Sequence, residues 1–348
     1  WSDAESDIPK ILAESKDRKH TKYINNVLKP TNGMYGDDVP VSVFKDLADG
    51  AVPSGTAAFE KRGIAIDIPQ WDAFKCMQCN WCSYVCPHAV IRPFVMDADE
   101  AAAFEGIAVP FKDDKEKFFS IGISALDCTG CGSCADVCPA RNKALEMVDG
   151  ETNQEAAQAY FDFLFREVGT KKELGGDESV KKSQFLQPLL EFSGACPGCG
   201  ETPYAKLVTQ LYGERMFIAN ATGCSSIWGL SAPSCPYTVN AEGKGPAWGN
   251  SLFEDNAEFG YGMLMAVKQM REKIERNMRA LLELDVDERL KETLEDWLEY
   301  KDDRKETRAK SERVLAAIEE LDSDDKVVNG LCDRIVEAKD YLVKKSMW

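Results

Sequence analysis

Histidine is scarce in this 348-residue chain, which has only two. No Ser/His/Asp arrangement is visible, so hydrolytic chemistry by a nucleophile and an imidazole base is disfavoured. No run of 18 or more apolar residues occurs, which argues against a membrane span. Basic residues are in deficit: 42 Lys and Arg face 59 Asp and Glu, a net charge of −17. A chain this acidic is a poor general binder of nucleic acid, because phosphate neutralisation needs a basic surface. Trp1 to Lys10 are acidic and polar and do not read as a secretory leader. The chain starts at Trp1 without Met and stops at Ser346-Met347-Trp348, where an apolar run begins, so a segment of a longer polypeptide is expected.

What the chain does have is cysteine: 13 residues. An odd number without a secretory signal argues against a disulfide framework. Eight of them fall in two similar blocks, Cys76-Met-Gln-Cys79-Asn-Trp-Cys82-Ser-Tyr-Val-Cys86-Pro87 and Cys128-Thr-Gly-Cys131-Gly-Ser-Cys134-Ala-Asp-Val-Cys138-Pro139. Each follows the C-x2-C-x2-C-x3-C-P run of two-cluster ferredoxins, in which the fourth Cys serves the other cluster. Three thiolates two residues apart wrap one cubane from a tight loop, and the fourth points away. Cys76, Cys79, Cys82 and Cys138 are therefore assigned to one [4Fe–4S] cluster, and Cys128, Cys131, Cys134 and Cys86 to a second. Gly130, Gly132 and Ser133 are small enough to let backbone amides point at cluster sulfur. Zinc is the weaker alternative, since it recruits paired knuckles without a fixed third Cys or a Pro. His88, next to Pro87, reads as a surface or supporting side chain.

The pattern predicts an α+β and α/β chain. Residues 1–70 read as a connecting segment with a helix near Pro9–Leu28, and residues 71–150 as a ferredoxin-like domain bearing two clusters. Val90–Val95 and Phe118–Ile123 are strand candidates bordering an insertion, Asp97–Lys117, expected to be a surface excursion; Ala65–Ile68 is a further strand candidate. Residues 151–193 form a linker with a helical stretch at Glu155–Val168. Residues 194–262 carry 11 Gly in 69 positions, well above the usual ~7% and suited to close backbone approach to a ligand. Residues 263–348 read as a helical insertion. Residues 263–329 contain no Gly or Pro, and their apolar spacing predicts two long amphipathic helices in a hairpin; a third helix follows near Val327–Val343. The charged run Lys301–Arg313 reads as a solvated face.

Within the glycine-rich stretch lie Gly194-Ala-Cys196-Pro-Gly-Cys199-Gly-Glu201 and Asn220-Ala-Thr-Gly223-Cys224-Ser-Ser226, then Ala232-Pro-Ser-Cys235 and Gly245-Pro-Ala-Trp248-Gly-Asn250. A lone C-x2-C with a distant Cys is compatible with a zinc knuckle, a redox pair or a cluster. At these runs the sequence resembles the pyruvate:ferredoxin (flavodoxin) oxidoreductase family, or pyruvate synthases. So do Gly36–Ser42, Pro53–Ala57, Glu60-Lys-Arg-Gly63, Ile68-Pro-Gln-Trp71 and both cysteine blocks.

The resemblance implies a cytoplasmic homodimeric enzyme binding thiamine diphosphate, Mg2+ and three [4Fe–4S] clusters. Such an enzyme converts pyruvate and CoA to acetyl-CoA and CO2 and passes single electrons to ferredoxin or flavodoxin. It makes residues 194–262 the start of a thiamine-diphosphate-binding α/β domain. Cys196, Cys199 and Cys224 are then three ligands of the cluster nearest the thiamine, with the fourth ligand outside this chain. Glu201, Thr222, Gly223 and Ser225 are the thiamine-pocket wall. The family's Gly-Asp-Gly motif for Mg2+ and its pyruvate and CoA domains also lie outside this sequence. Cys235 reads as a buried free thiol and Cys332 as a packing residue. Lys112, Lys115, Lys117, Arg141 and Lys143 are the available basic groups for an acidic electron acceptor. Two other readings are a plain polyferredoxin-like carrier, which has no use for the glycine-rich run, and an enzyme of the same type acting on another 2-oxoacid.

Overall fold

The computed structural model describes residues 18–231 and 234–348, which fall into two units. One holds the chain up to Glu214 together with Gly223–Pro246; the other holds Arg215–Thr222 and Ala247–Trp348. No helix among the described residues is long and apolar enough to cross a membrane.

In the first unit, α1 (Arg18–Tyr23) runs on through a wider turn, Ile24–Leu28, and buries Ile24, Val27 and Leu28 against Val43, Leu47, Val52 and Phe59. The rest of the expected Pro9–Leu28 helix, and the Trp1–Lys10 segment, lie outside the described residues. Strand β1 (Asp67–Trp71), α2 (Trp81–Val85), β2 (Ile91–Met96), α3 (Ala98–Ala103), β3 (Val109–Pro110), β4 (Phe118–Ile123), α4 (Ser133–Val137), β5 (Leu145–Asp149) and α5 (Gly150–Phe163) follow in order. β1 and β5 pair antiparallel with Trp71 opposite Leu145, and β2, β4 and β3 form a second antiparallel sheet. Every residue of β2 is buried. Phe161 of α5 meets Phe94 edge to face, so the helix seals that sheet with aromatic area.

The insertion between β2 and β4 differs from the expected surface excursion. Asp97 and Glu100 close a capping box that starts α3, and the chain then returns Phe104 and Phe111 to the core. Phe111 stacks on Phe119 at a centroid distance of 6.1 Å. The stretch from Ala101 to Phe111 is mostly apolar but broken by Gly106 and Pro110, so it shows neither a helix nor a strand period, which is why the sequence pattern missed its burial.

Helix α6 (Thr202–Tyr212) ends the first stretch of this unit. It buries Thr202, Lys206 and Thr209, a polar face at helical spacing.

In the second unit, β6 (Met216–Ala221) lies between β7 (Ala247–Ser251) and β8 (Ser346–Met347), all parallel. Between β7 and β8 run α7 (Asn256–Leu282), α8 (Glu288–Tyr300), α9 (Thr307–Glu319) and α10 (Lys326–Glu337). Four helices thus stand where three were expected. The second is broken because the Asp303 carboxylate accepts from the backbone N–H groups of Lys305 and Glu306, starting a new turn inside the charged run. Trp297 is fully buried at the centre of this bundle, and its indole N–H donates to Ser311 Oγ at 3.2 Å. Cys332 is buried in the same core.

Candidate metal centres

The cysteine blocks fold alike because both need the chain to reverse sharply twice between ligands. In the second block Gly130 and Gly132 take φ of 69° and 76°, a region open to glycine without penalty. In the first block the matching positions are Gln78 and Asn80, at φ 57° and 62°. Both side chains are buried and hold their turns from outside. Gln78 donates to Pro110 O at 2.9 Å and accepts from the Lys112 N–H at 2.8 Å, while Asn80 donates to Lys181 O at 3.0 Å.

The eight thiols separate into two sets. One cavity is lined by Cys76, Cys79, Cys82 and Cys138, with Trp71, Ile121 and Leu145. Another is lined by Cys86, Cys128, Cys131 and Cys134, with Val90, Ile91 and Met147. The fourth member of each set comes from the other block, as the spacing predicts. All thirteen cysteines are free. Among the described residues no three ligating side chains lie close enough together to hold one ion. Four thiols set round a space fit a cubane, whose own irons reach out to them, and not a lone tetrahedral zinc.

The sulfurs also receive backbone donors. The N–H groups of Gln78, Gly130 and Ala144 lie 3.3, 3.4 and 3.2 Å from the sulfurs of Cys76, Cys128 and Cys138. Gly130 thus acts as expected, and Gln78 does the same in the other block. Burial pushes the thiols of Cys82 and Cys128 up to about 12 and that of Cys134 higher still. Metal capture at these positions must therefore expel protons.

His88 is buried, not on the surface, and its Nε2 lies 2.9 Å from Ala195 O. A carbonyl only accepts, so Nε2 carries the proton. The Phe192 N–H donates to His88 O at 2.8 Å. These two bonds fasten the loop after Cys86 to the segment that leads into Cys196. There Cys196 and Cys199 form a tight turn closed by a 3.1 Å backbone bond, with Gly198 at φ 70°. A Cβ at Gly198 would lie 3.8 Å from Cys131 Cβ, so this turn packs directly on the second thiol set.

Cys196, Cys199 and Cys224 do not form an enclosed set like the other two, for Cys196 and Cys224 are exposed. Trp228 Nε1 donates to the Glu201 carboxylate at 3.3 Å and ties the stretch after Cys224 to the stretch after Cys199. Gly223 and Ser225 flank Cys224, and the Gly223 N–H donates to Ser226 Oγ at 2.8 Å. Thr222 belongs to the second unit, where its N–H and hydroxyl both donate to Ser251 O. Cys235 is buried, its Sγ 3.5 Å from Tyr237 O, and burial pushes its thiol up to about 11.

Lys206 is a residue that the sequence did not single out. Its side chain is fully buried, and its ammonium donates to the carbonyls of Ser83, Tyr84 and Cys86 at the end of α2. No spacing rule could have found it, since its partners lie some 120 residues away and are backbone atoms.

Comparison with known proteins bears on these centres. A family model for a 4Fe–4S dicluster domain matches residues 75–142, which contain all eight cysteines of the two sets. A second, for the EKR domain of unknown function, matches residues 11–65. Glu60-Lys61-Arg62 lies in that match, and there Lys61 pairs with Asp127. The pyruvate:ferredoxin oxidoreductase of Moorella thermoacetica is 49% identical over 354 residues, covering all of this chain and 30% of that protein. The pyruvate-flavodoxin oxidoreductase of Klebsiella pneumoniae is 47% identical over 94% of this chain and 28% of its own length. By descent, this chain is a pyruvate:ferredoxin/flavodoxin oxidoreductase homologue. The resemblance read from the motifs is thereby shown, and the chain spans under a third of those two family members. The pyruvate dehydrogenase [NADP(+)] of Cryptosporidium parvum is also similar, at 50% identity over 76% of this chain and 14% of that protein.

Proposed function

We propose that this chain is the electron-relay stretch of a 2-oxoacid oxidoreductase acting on pyruvate. In the overall reaction pyruvate, CoA and oxidised ferredoxin or flavodoxin become acetyl-CoA, CO2 and the reduced carrier. Cys76, Cys79, Cys82 and Cys138 would hold one [4Fe–4S] cluster, and Cys86, Cys128, Cys131 and Cys134 a second. Cys196, Cys199 and Cys224 would supply three ligands of a third. The observation that carries this reading is the crossed pair of four-thiol cavities, with the Cys196–Cys199 turn packed on one of them. That packing supports an order of transfer from the Cys196 turn to the Cys131 set, then to the Cys76 set.

Bound thiamine diphosphate and Mg2+ would supply the decarboxylation chemistry, and the clusters the one-electron steps. Glu201, Thr222, Gly223 and Ser225 are proposed as the wall of that thiamine site, on the resemblance of their motifs. The role of the chain's own residues is to hold sulfur sites at fixed spacing and donate hydrogen bonds to them. At the exit, Lys112 donates to Cys76 O at 3.3 Å and Lys143 to Cys138 O at 2.9 Å, so two cations border the last site where an acidic carrier would dock. Relatives named for ferredoxin, flavodoxin and NADP(+) share this stretch, which supports a relay whose final acceptor is chosen elsewhere.

Anaerobic isolation tests the reading. About eight irons should accompany residues 71–150, with broad absorbance near ~400 nm that bleaches on reduction. Zinc in place of iron, or a colourless protein with intact thiols, would overturn it.

A further inference from the structure

We infer that Lys206 is a fixed countercharge seated between the two thiol sets, and that its positive charge makes the clusters bound there easier to reduce. The inference rests on the proposed reading that both sets hold [4Fe–4S] clusters.

Position is the first argument. Helix α2 carries Cys82 of one set, and Cys86 of the other follows it directly. The Lys206 ammonium rests on the carbonyls of Ser83, Tyr84 and Cys86, the last at 3.4 Å, so it sits on the single turn of chain that joins the two sites. Burial pulls the Lys206 pKa down to about 8, with Arg92 acting in the same direction and Cys86 and Cys82 opposing it.

The second argument is what the charge lacks. A buried ammonium normally finds a carboxylate, because removing it from water unpaired is costly. Lys206 is 1% exposed, and among the described residues its ammonium is held by three backbone carbonyls and by no carboxylate. The nearby buried acid, Glu191, is already paired with Arg92. Three carbonyls at a helix end could be satisfied by a neutral amide or by water. A buried cation is the more expensive solution unless anions lie next to it. A cubane held by four thiolates is such an anion, more so when reduced, and net charge near a cluster is one of the levers on its potential. Here one cation serves two anionic sites at once, so it should favour the reduced form of both.

The test is a spectroscopic redox titration of the full-length, iron-loaded protein, with Lys206→Gln, Lys206→Met and Lys206→Arg beside the parent. Gln keeps donors without charge, Met keeps neither, and Arg keeps the charge. The expected result is that Gln and Met lower the one-electron reduction equilibrium of both clusters at least tenfold, about 59 mV downward per tenfold, while Arg stays close to the parent. If Gln and Met fail to load iron while Arg loads it, the charge is needed for the sites and the inference stands. Full iron content with parental potentials in the Gln and Met variants would overturn it, as would failure of all three, which would make Lys206 a packing residue. Absence of iron in the parent would instead sink the reading on which the inference rests.

Discussion

The two cysteine blocks solve one backbone problem in opposite ways. The second uses glycine at both left-handed positions and needs no help. A Cβ at Gly130 would lie 3.0 Å from Asp67 O, so that turn is also pressed against β1. The first places Gln78 and Asn80 at the same positions and recovers the conformational cost through side-chain hydrogen bonds. Two of those bonds come from Pro110 and Lys112, which belong to the insertion between β2 and β4. The insertion is thus the outer support of one turn, and a repeat that looks symmetric in sequence is asymmetric in what holds it.

That contrast can be broken at several levels. The largest effect should come from the ligands: Cys79→Ala and Cys131→Ala should each lose one cluster, about four irons, yet differ in consequence. With Cys131 replaced, the remaining Cys76 set should no longer be reduced when substrate is added. With Cys79 replaced, the Cys131 set should still be reduced but pass nothing to methyl viologen. Rapid-mixing spectra of the full-length protein separate the two, and identical behaviour would remove the proposed direction.

Next in size, Gln78→Leu should destabilise the iron-loaded protein by about 1–3 kcal/mol, because it removes the two hydrogen bonds that tie this turn to the backbone of Pro110 and Lys112. Gln78→Gly should cost less, since it relieves the turn. Denaturant unfolding followed at the cluster absorbance reads both, and a Gly variant weaker than Leu would contradict the support role. The smallest effects belong to the glycines. Gly130→Ala should cost about 1–2 kcal/mol from its left-handed backbone and more from the clash with Asp67 O. Gly132→Ala has open space around it and should show only the backbone part. Equal losses at the two would mean that the contact with β1 does not matter.

Much of this was legible in advance. The cysteine spacing named both sets and their crossing, because ligand geometry constrains sequence directly. β4 was read at Phe118–Ile123, and β2 within one residue, because apolar runs bounded by turns mark strands. Gln78 and Asn80 were not legible as turn formers, since nothing in their identity announces a positive φ. Phe104 and Phe111 were hidden in a short stretch without helix or strand period, interrupted by Gly106 and Pro110, and Lys206 was hidden by distance in sequence. The break at Lys301–Glu306 depends on one Asp side chain turning back on its own backbone, which competes with helix and leaves no periodic trace.

The His88 clasp has a consequence of its own. Electron hops slow steeply as donor and acceptor separate, so a span held by two short bonds to one residue works as a ruler. Burial lowers the affinity of this imidazole for a second proton, which keeps it neutral. On the proposed relay, it would set how fast charge crosses the first gap while leaving untouched how strongly either side wants it.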